Sequence, residues 1–235
     1  LLQYITNGNK SYEATVVLGA ATVTDDVEGE VISRADVSAI TDAQIEAEMA
    51  KMRGTIMQRP SSVSAVKVDS ERAYDRVRAG ESVELAEREV TISQLDIKEI
   101  RHIESAIEVD IEVTCSAGTF IRAIARDCGD ALGVGGHLNS LRRTRVAGFG
   151  LDKSISLTSL KVGEFSTLGL VDVARTVFSA RELELDEVHE LSYGRPLSAN
   201  PDEAVYAAIS GPDLIALLCN KDGLAKPIAV FAAAN

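Results

Sequence analysis

Four arginines and the turns beside them carry the strongest chemical suggestion in this 235-residue chain. Arg122 follows the segment CSAGTFI (115–121) and falls in the first turn of a helical pattern. The backbone field there disfavours a cation, by a few tenths of a kcal/mol or about 1 kcal/mol. Two readings stay open for it. Either the side chain bends out into water, or it is aimed at a carboxylate or phosphate beside the turn. Arg142, Arg143 and Arg145 fall within four positions, just after Gly135-Gly136. Such a cluster is either a solvated surface or a set of phosphate contacts. The three histidines (His102, His137, His189) and three cysteines (Cys115, Cys128, Cys219) are scattered. They form no metal-ligand spacing, and no nucleophile elbow occurs.

The element that must position Arg122 is the stretch Ile107 to Phe149. Ile107, Val109, Ile111, Val113 and Cys115 alternate with Glu108, Asp110, Glu112 and Thr114. Strict period-2 alternation predicts a half-buried strand. Ser116-Ala117-Gly118-Thr119 breaks it. From Phe120 the period turns helical, with Ile121, Ile124, Cys128 and Leu132 on one face and Gly133 where a C-terminal cap belongs.

Composition bounds the rest. At 46% hydrophobic the chain can bury a core, and nothing in it suggests disorder. Its apolar runs are too short for a membrane helix and it opens without a secretory signal. Three cysteines without framework spacing fit a reducing cytoplasm, and Cys115 and Cys128 lie on apolar faces. The net charge is −12, yet its distribution is uneven. Residues 1–116 carry 12 Lys/Arg against 22 Asp/Glu, residues 117–160 carry 6 against 3, and residues 161–235 carry 6 against 11. A locally basic block can bind a polyanion even on an acidic protein, because exposed charges beyond about 10 Å are screened.

Taken in order, Ser11–Gly19 alternates as a strand, and Ala21–Thr24 continues extended into a turn at Asp25–Gly29. Thr41-Asp42-Ala43-Gln44 is a capping box before a helix that carries Ile45, Met49 and Met52 and ends at Gly54. Pro60–Val68 is a Ser-rich loop running into a short strand, Glu71–Ala79 a short helix, and Arg88–Ile100 a strand. A short helical turn is expected after Gly135–Leu138. Beyond residue 176, short strands separated by turns predict a small β-rich module.

Four segments resemble the tRNA pseudouridine-55 synthase family of the TruB type. They are KSYEATVVLGAATVTDDVEGEV (10–31), RPSSVSAVKV with AYDRVRAGESV (59–83), CSAGTFIRAIARDCGDALGVGGHL (115–138) and LRRTRVAGF (141–149). The double Ser after Pro60 and the short C-terminal module look most like its actinobacterial branch. The resemblance implies an α+β fold: a mixed central sheet with flanking helices, then a small PUA-like barrel. It implies a catalytic domain over 1–160, an RNA-gripping insertion at 59–90 within it, and a PUA-like RNA-binding domain over 177–235. It implies an isomerase that turns one uridine of the tRNA T-loop into pseudouridine, without cofactor or metal, as a cytoplasmic monomer with the T-stem loop as its partner.

The resemblance also assigns residues. Tyr12 matches a Tyr that stacks on the flipped base, a position otherwise read as a core Tyr on an alternating strand. Phe120 stands where the family usually has Tyr, keeping the stacking face and losing a hydroxyl. Leu141 matches a pocket-lining Leu, and Lys67 a contact of the insertion. Arg142 and Arg143 are the RNA-binding candidates of the basic segment. Arg122 matches the Arg that pairs with the nucleophilic aspartate. That aspartate lies in a GTLDP-like segment in the family, and no such segment occurs in these 235 residues. Asp25 and Asp26 stand in a different motif. Leu1–Ile5 reads as the middle of an element, so the expectation is a chain that starts inside a longer protein. Two other readings stand beside the enzyme: a non-catalytic RNA-binding or tRNA-folding module, and a guide-RNA-dependent synthase subunit, which the short C-terminal module disfavours. This polypeptide alone is predicted to leave unmodified tRNA unconverted; pseudouridine formed by it in a turnover assay would contradict that.

Overall fold

The structure, a computed structural model, describes residues 1–61, 67–68, 71–72, 85–201 and 204–232. It divides into two compact units, Thr6–Ala147 and Gly148–Asn235 with Leu1–Ile5.

In the first unit, the alternating sequences become the middle of a sheet. Strand β1 (Lys10–Leu18) is followed by a small hairpin, β2 (Ala20–Thr22) and β3 (Val31–Arg34). Then come α1 (Asp42–Lys51), β4 (Gly54–Gln58), β5 (Arg88–Ile103), β6 (Ala106–Cys115), α2 (Ile121–Ala131) and β7 (Gly136–Val146). The sheet order is β7-β1-β6-β5-β4, and these pairings are antiparallel. β1 and β6 register from Lys10↔Cys115 to Leu18↔Ile107. That pairing puts Ala14, Val16 and Leu18 on the same buried face as Ile107, Val109, Ile111, Val113 and Cys115. Helix α1 adds Ile45 and Met49, and α2 adds Ile121, Ile124 and Cys128. This is the α+β fold expected, with helices on one sheet face.

The capping box forms as read. Thr41 Oγ1 accepts from the Gln44 N–H at 3.4 Å, and Gln44 Oε1 accepts from the Thr41 N–H at 3.0 Å. Gly54, with φ +88°, opens β4 instead of ending α1, whose C-cap is Met52. The helical turn expected after Leu138 does not form. Residues 136–146 are one strand, because β1 offers a full-length antiparallel partner from Lys10↔Val146 to Leu18↔Gly136. Glu71-Arg72, expected to open a helix, pair as a strand with Lys67-Val68; the rest of that expected helix lies outside the described residues.

The other sheet face is polar. Arg101 on β5 binds Glu99, Glu108 and Asp110. Its hydrogen bonds hold the Asp110 carboxyl below the usual carboxylate range. A carboxyl depressed on folding stabilises the fold above its unfolded value and loses that contribution as pH falls through the folded one. Thr15 also donates to Asp110 at 2.7 Å, and Ser140 donates to Thr15 at 2.9 Å, so β7, β1 and β6 are tied across this face.

The second unit contains α3 (Leu170–Val177), β8 (Ala180–Glu182), α4 (Leu185–Ser192), β9 (Leu197–Ser198), β10 (Tyr206–Ser210), β11 (Asp213–Lys221) and β12 (Leu224–Val230). Its sheet order is β8-β10-β11-β12-β9. Tyr206 is fully buried and spends its hydroxyl on Asn220 Oδ1 at 3.1 Å. Among the described residues no helix is long and apolar enough to cross a membrane.

Two glycines let α2 lie against the start of β7. A Cβ at Gly129 would stand 2.2 Å from the Gly135 and Gly136 backbone, and one at Gly136 would stand 2.2 Å from the Ala125 carbonyl oxygen. Backbone cannot yield to such a clash as a flexible side chain can. Gly129→Ala is therefore expected to destabilise the chain by about 2–3 kcal/mol in urea unfolding, whereas an unchanged midpoint would mean the two elements are not so close.

Candidate functional site

The site is built around the turn after β2. Asp26 is held there by three donors on its carboxylate. Thr24 Oγ1 donates to Oδ1 at 2.5 Å, and the Glu28 N–H donates to the same oxygen at 3.1 Å. The other oxygen, Oδ2, meets Arg122 Nε at 2.9 Å. The Asp26 backbone is fixed as well, since its carbonyl accepts from Thr22 Oγ1 at 2.8 Å. The cation at the start of α2 is thereby explained. It faces a carboxylate that is mostly buried and already oriented.

One helical turn on, Arg126 repeats the arrangement with the neighbouring acid. Residues four apart share a helix face. Arg126 Nη1 lies 3.3 Å from Asp25 Oδ2, Nε donates to Asp127 at 2.8 Å, and Nη2 donates to the Arg59 carbonyl at 2.8 Å. Burial pushes the Asp25 carboxyl above its ordinary range, with the nearby Ser61 hydroxyl and the Arg126 charge pulling the other way. Asp25 takes a positive φ of 59°, which Asp tolerates better than most residues. Its carbonyl accepts from Leu138 N at 3.0 Å, and Val27 N donates to the Leu138 carbonyl at 2.8 Å. The acidic turn is thus stitched to the first residues of β7.

Tyr12 is partly buried against the helix-covered core. It sits opposite Arg143 in the β1–β7 register, and Ala14 sits opposite Leu141. Tyr12, Leu141 and Arg143 therefore share a face. The Arg143 guanidinium is near enough to the Tyr12 hydroxyl to favour its ionised form. Burial nonetheless outweighs that influence and raises the phenol above the usual tyrosine value, so the ring is neutral at physiological pH. Leu141 is a large apolar residue left about half exposed, at 49%. Arg142 and Arg145 belong to the opposite face. Arg142 is opposite Glu13 and lines a groove of about 520 Å³ with Glu13, Lys98, Asp110 and Glu112. A register shift between Ser11 and Tyr12 skips Thr144, so Arg145 also falls on the Ser11 side, where Nε donates to Ser11 Oγ at 3.2 Å. A run read as one arginine cluster is split between two sides of a sheet.

Phe120 is the N-cap of α2 and makes no side-chain cap bond of its own. Lys67 belongs to the short strand pair 67–68 and 71–72; most of the expected insertion lies outside the described residues. Cys115 and Cys128 are buried in the core, and burial pushes both thiols up, that of Cys128 to about 12. They are packing residues. Among the described residues no group of acids, cysteines and histidines could hold a metal.

Residues 1–121 match the TruB family pseudouridylate synthase N-terminal domain, and residues 122–166 match the tRNA pseudouridylate synthase B C-terminal domain. The chain belongs to the TruB family. The tRNA pseudouridine synthase B of Arthrobacter sp. (strain FB24) is 47% identical over 247 residues, spanning 100% of this chain and 80% of that protein. The enzyme of the same name from Mycobacteroides abscessus is 48% identical over 237 residues, with the same coverage. Among solved structures, a Cbf5-Nop10-Gar1 complex contains a chain that superposes with a TM-score of 0.63 at 20% identity, covering 99% of this chain and 69% of its own. At that identity the likeness is one of fold.

For this TruB chain, sequence reasoning found Arg122 and passed over Asp26, Arg126 and Gln58. The available signal was spacing: two arginines four apart on a helix, and two adjacent aspartates in an upstream turn. The Arg122–Asp26 pair is partly exposed on the arginine side, at 37%, so solvent screening limits its strength. A double-mutant cycle of Arg122→Gln and Asp26→Asn in urea unfolding is expected to give a coupling of about 1 kcal/mol. A coupling near zero would mean the pair does not form in solution.

Proposed function

We propose that this chain is the body of a tRNA pseudouridine synthase that takes a uridine of the T-loop as its target. The observation that carries this reading is the shared face of Tyr12, Leu141 and Arg143, beside a helix that presents Arg122 at its start. A base inside a folded RNA loop cannot be reached in place and must be flipped out. The flipped base needs an aromatic platform, an apolar wall and a cation for its phosphate. Tyr12 and Phe120 supply the platform, Leu141 the wall and Arg143 the cation.

The reaction is an isomerisation. The bond from the ribose to N1 of the base breaks, a bond to C5 forms, and the proton leaving C5 is balanced by the one gained at N1. No oxidant, reductant or group donor is required by that balance. What the protein must supply is a nucleophilic carboxylate, a held base and an environment that keeps both in register. Arg122, oriented by Asp26, is the proposed partner of that carboxylate. Asp26 cannot itself serve easily as nucleophile, since both its oxygens are already engaged by Thr24, Glu28 and Arg122. Tyr12 stays neutral through the working pH range, so its stacking is independent of pH there. The chain is proposed to act as a monomer, with Lys67 as a further RNA contact of the 59–90 segment.

Binding of a T-stem-loop RNA tests the reading directly. Affinity should fall steeply with salt, as several phosphate contacts require. Tyr12→Ala should weaken binding by about 1–3 kcal/mol, the range of one base stacked on an aromatic ring. A flat salt response, or no loss in Tyr12→Ala, would contradict the proposed pocket.

A further inference from the structure

The side chain of Gln58 spends both halves of its amide on one residue. Its Oε1 accepts from the Phe120 N–H at 2.8 Å, and its Nε2 donates to the Phe120 carbonyl at 3.0 Å. Gln58 is buried, with 2% of its surface exposed. It is the last residue of β4, and Phe120 is the N-cap of α2, a residue 62 positions away that has no capping bond of its own. The next residue along from Gln58, Arg59, gives its carbonyl to Arg126 on the same helix. Ser61 then donates to the Thr24 carbonyl at 3.2 Å, in the acidic turn. Residues 58, 59 and 61 therefore hold the start of α2 and the Thr24–Asp26 turn from one side. Arg59 also pairs with Glu87 at 3.6 Å.

A two-point bond to a backbone fixes its direction as well as its position. The Phe120 ring follows from that backbone. We infer that Gln58 is a positioning residue for the target base, acting through Phe120, and that it links residues 59–61 to the base pocket. The inference rests on the pocket proposed above. It adds a residue that touches neither RNA nor the reacting atoms and sets where the ring of Phe120 stands. Removing the amide would leave the Phe120 N–H without its acceptor and the Phe120 carbonyl with the Ala123 N–H, at 3.2 Å, as its remaining donor, a penalty felt where the ring must be placed.

The test compares two T-stem-loop RNAs, one with uridine and one with an abasic ribose at the target position. Both are measured against the full chain and two variants. Gln58→Leu keeps the side-chain size and loses both bonds. Gln58→Glu keeps an acceptor for the Phe120 N–H and loses the donor to its carbonyl. Gln58→Leu should bind the uridine RNA about tenfold more weakly and bind the abasic RNA within about twofold of the original chain. Gln58→Glu should fall between, and the Phe120 amide should exchange with solvent faster in Gln58→Leu. An equal loss on both RNAs would show a merely structural role and overturn the inference. So would a chain with Gln58→Leu that keeps its full preference for uridine RNA, leaving the pocket itself intact. If Gln58→Leu does not fold, the same comparison in Gln58→Glu decides. An original chain that binds both RNAs equally would overturn the pocket and this inference together.

Discussion

Two arginines, one helical turn apart, hold two adjacent aspartates. Arg122 binds Asp26 at 2.9 Å and Arg126 reaches Asp25 at 3.3 Å. This double grip ties the start of α2 to the turn after β2, and the turn in turn bonds to Leu138 at the start of β7. Three elements far apart in sequence are thereby locked at one place. The placement of Asp25 in a positive-φ conformation, buried and with its carboxyl raised by desolvation, carries a local cost. That cost is offset by the bonds the turn makes, and it is the kind of local compromise found where function constrains geometry. Glycines at 129 and 136 complete the arrangement by letting helix and strand backbones approach.

The sheet then sorts chemistry by side. Its helix-covered face carries the apolar core and, at the margin, Tyr12, Leu141 and Arg143. Its other face carries cross-strand ion pairs and hydroxyls centred on Arg101, Asp110 and Thr15. Alternation along β7 would put Arg143 and Arg145 together. The skipped residue at Thr144 reverses this, and sends Arg145 to join Arg142. One extra residue in a strand thus leaves a single arginine of the three beside Tyr12.

Much of this was legible in the residues. The strand at 106–115, the helix after Phe120 and the capping box at Thr41 each follow from periodicity or from a local bond that needs only a few neighbouring residues. The family followed from four segments in order, and the comparisons place the chain there. What the residues hid depends on partners distant in sequence. The expected helical turn after Leu138 is a strand because β1 is long enough to pair with it. The arginine cluster is divided because a register shift is invisible in the order of residues. Asp26 looked like an ordinary turn acid, since Arg122 lies 96 positions away in this chain. Gln58 had no signal at all, because its partner is a backbone group, and any residue provides one.

The central claim is that the RNA base meets the Tyr12 face of the sheet and not the other. Paired charge reversals on β7 test it most directly. Arg143→Glu should weaken binding of a T-stem-loop RNA about tenfold or more, through loss of a phosphate contact and added repulsion. Arg142→Glu, one residue away on the opposite face, should change it far less at moderate salt, where distant charges are screened. Equal losses from the two reversals, or a larger loss from Arg142→Glu, would contradict the assignment of the binding face.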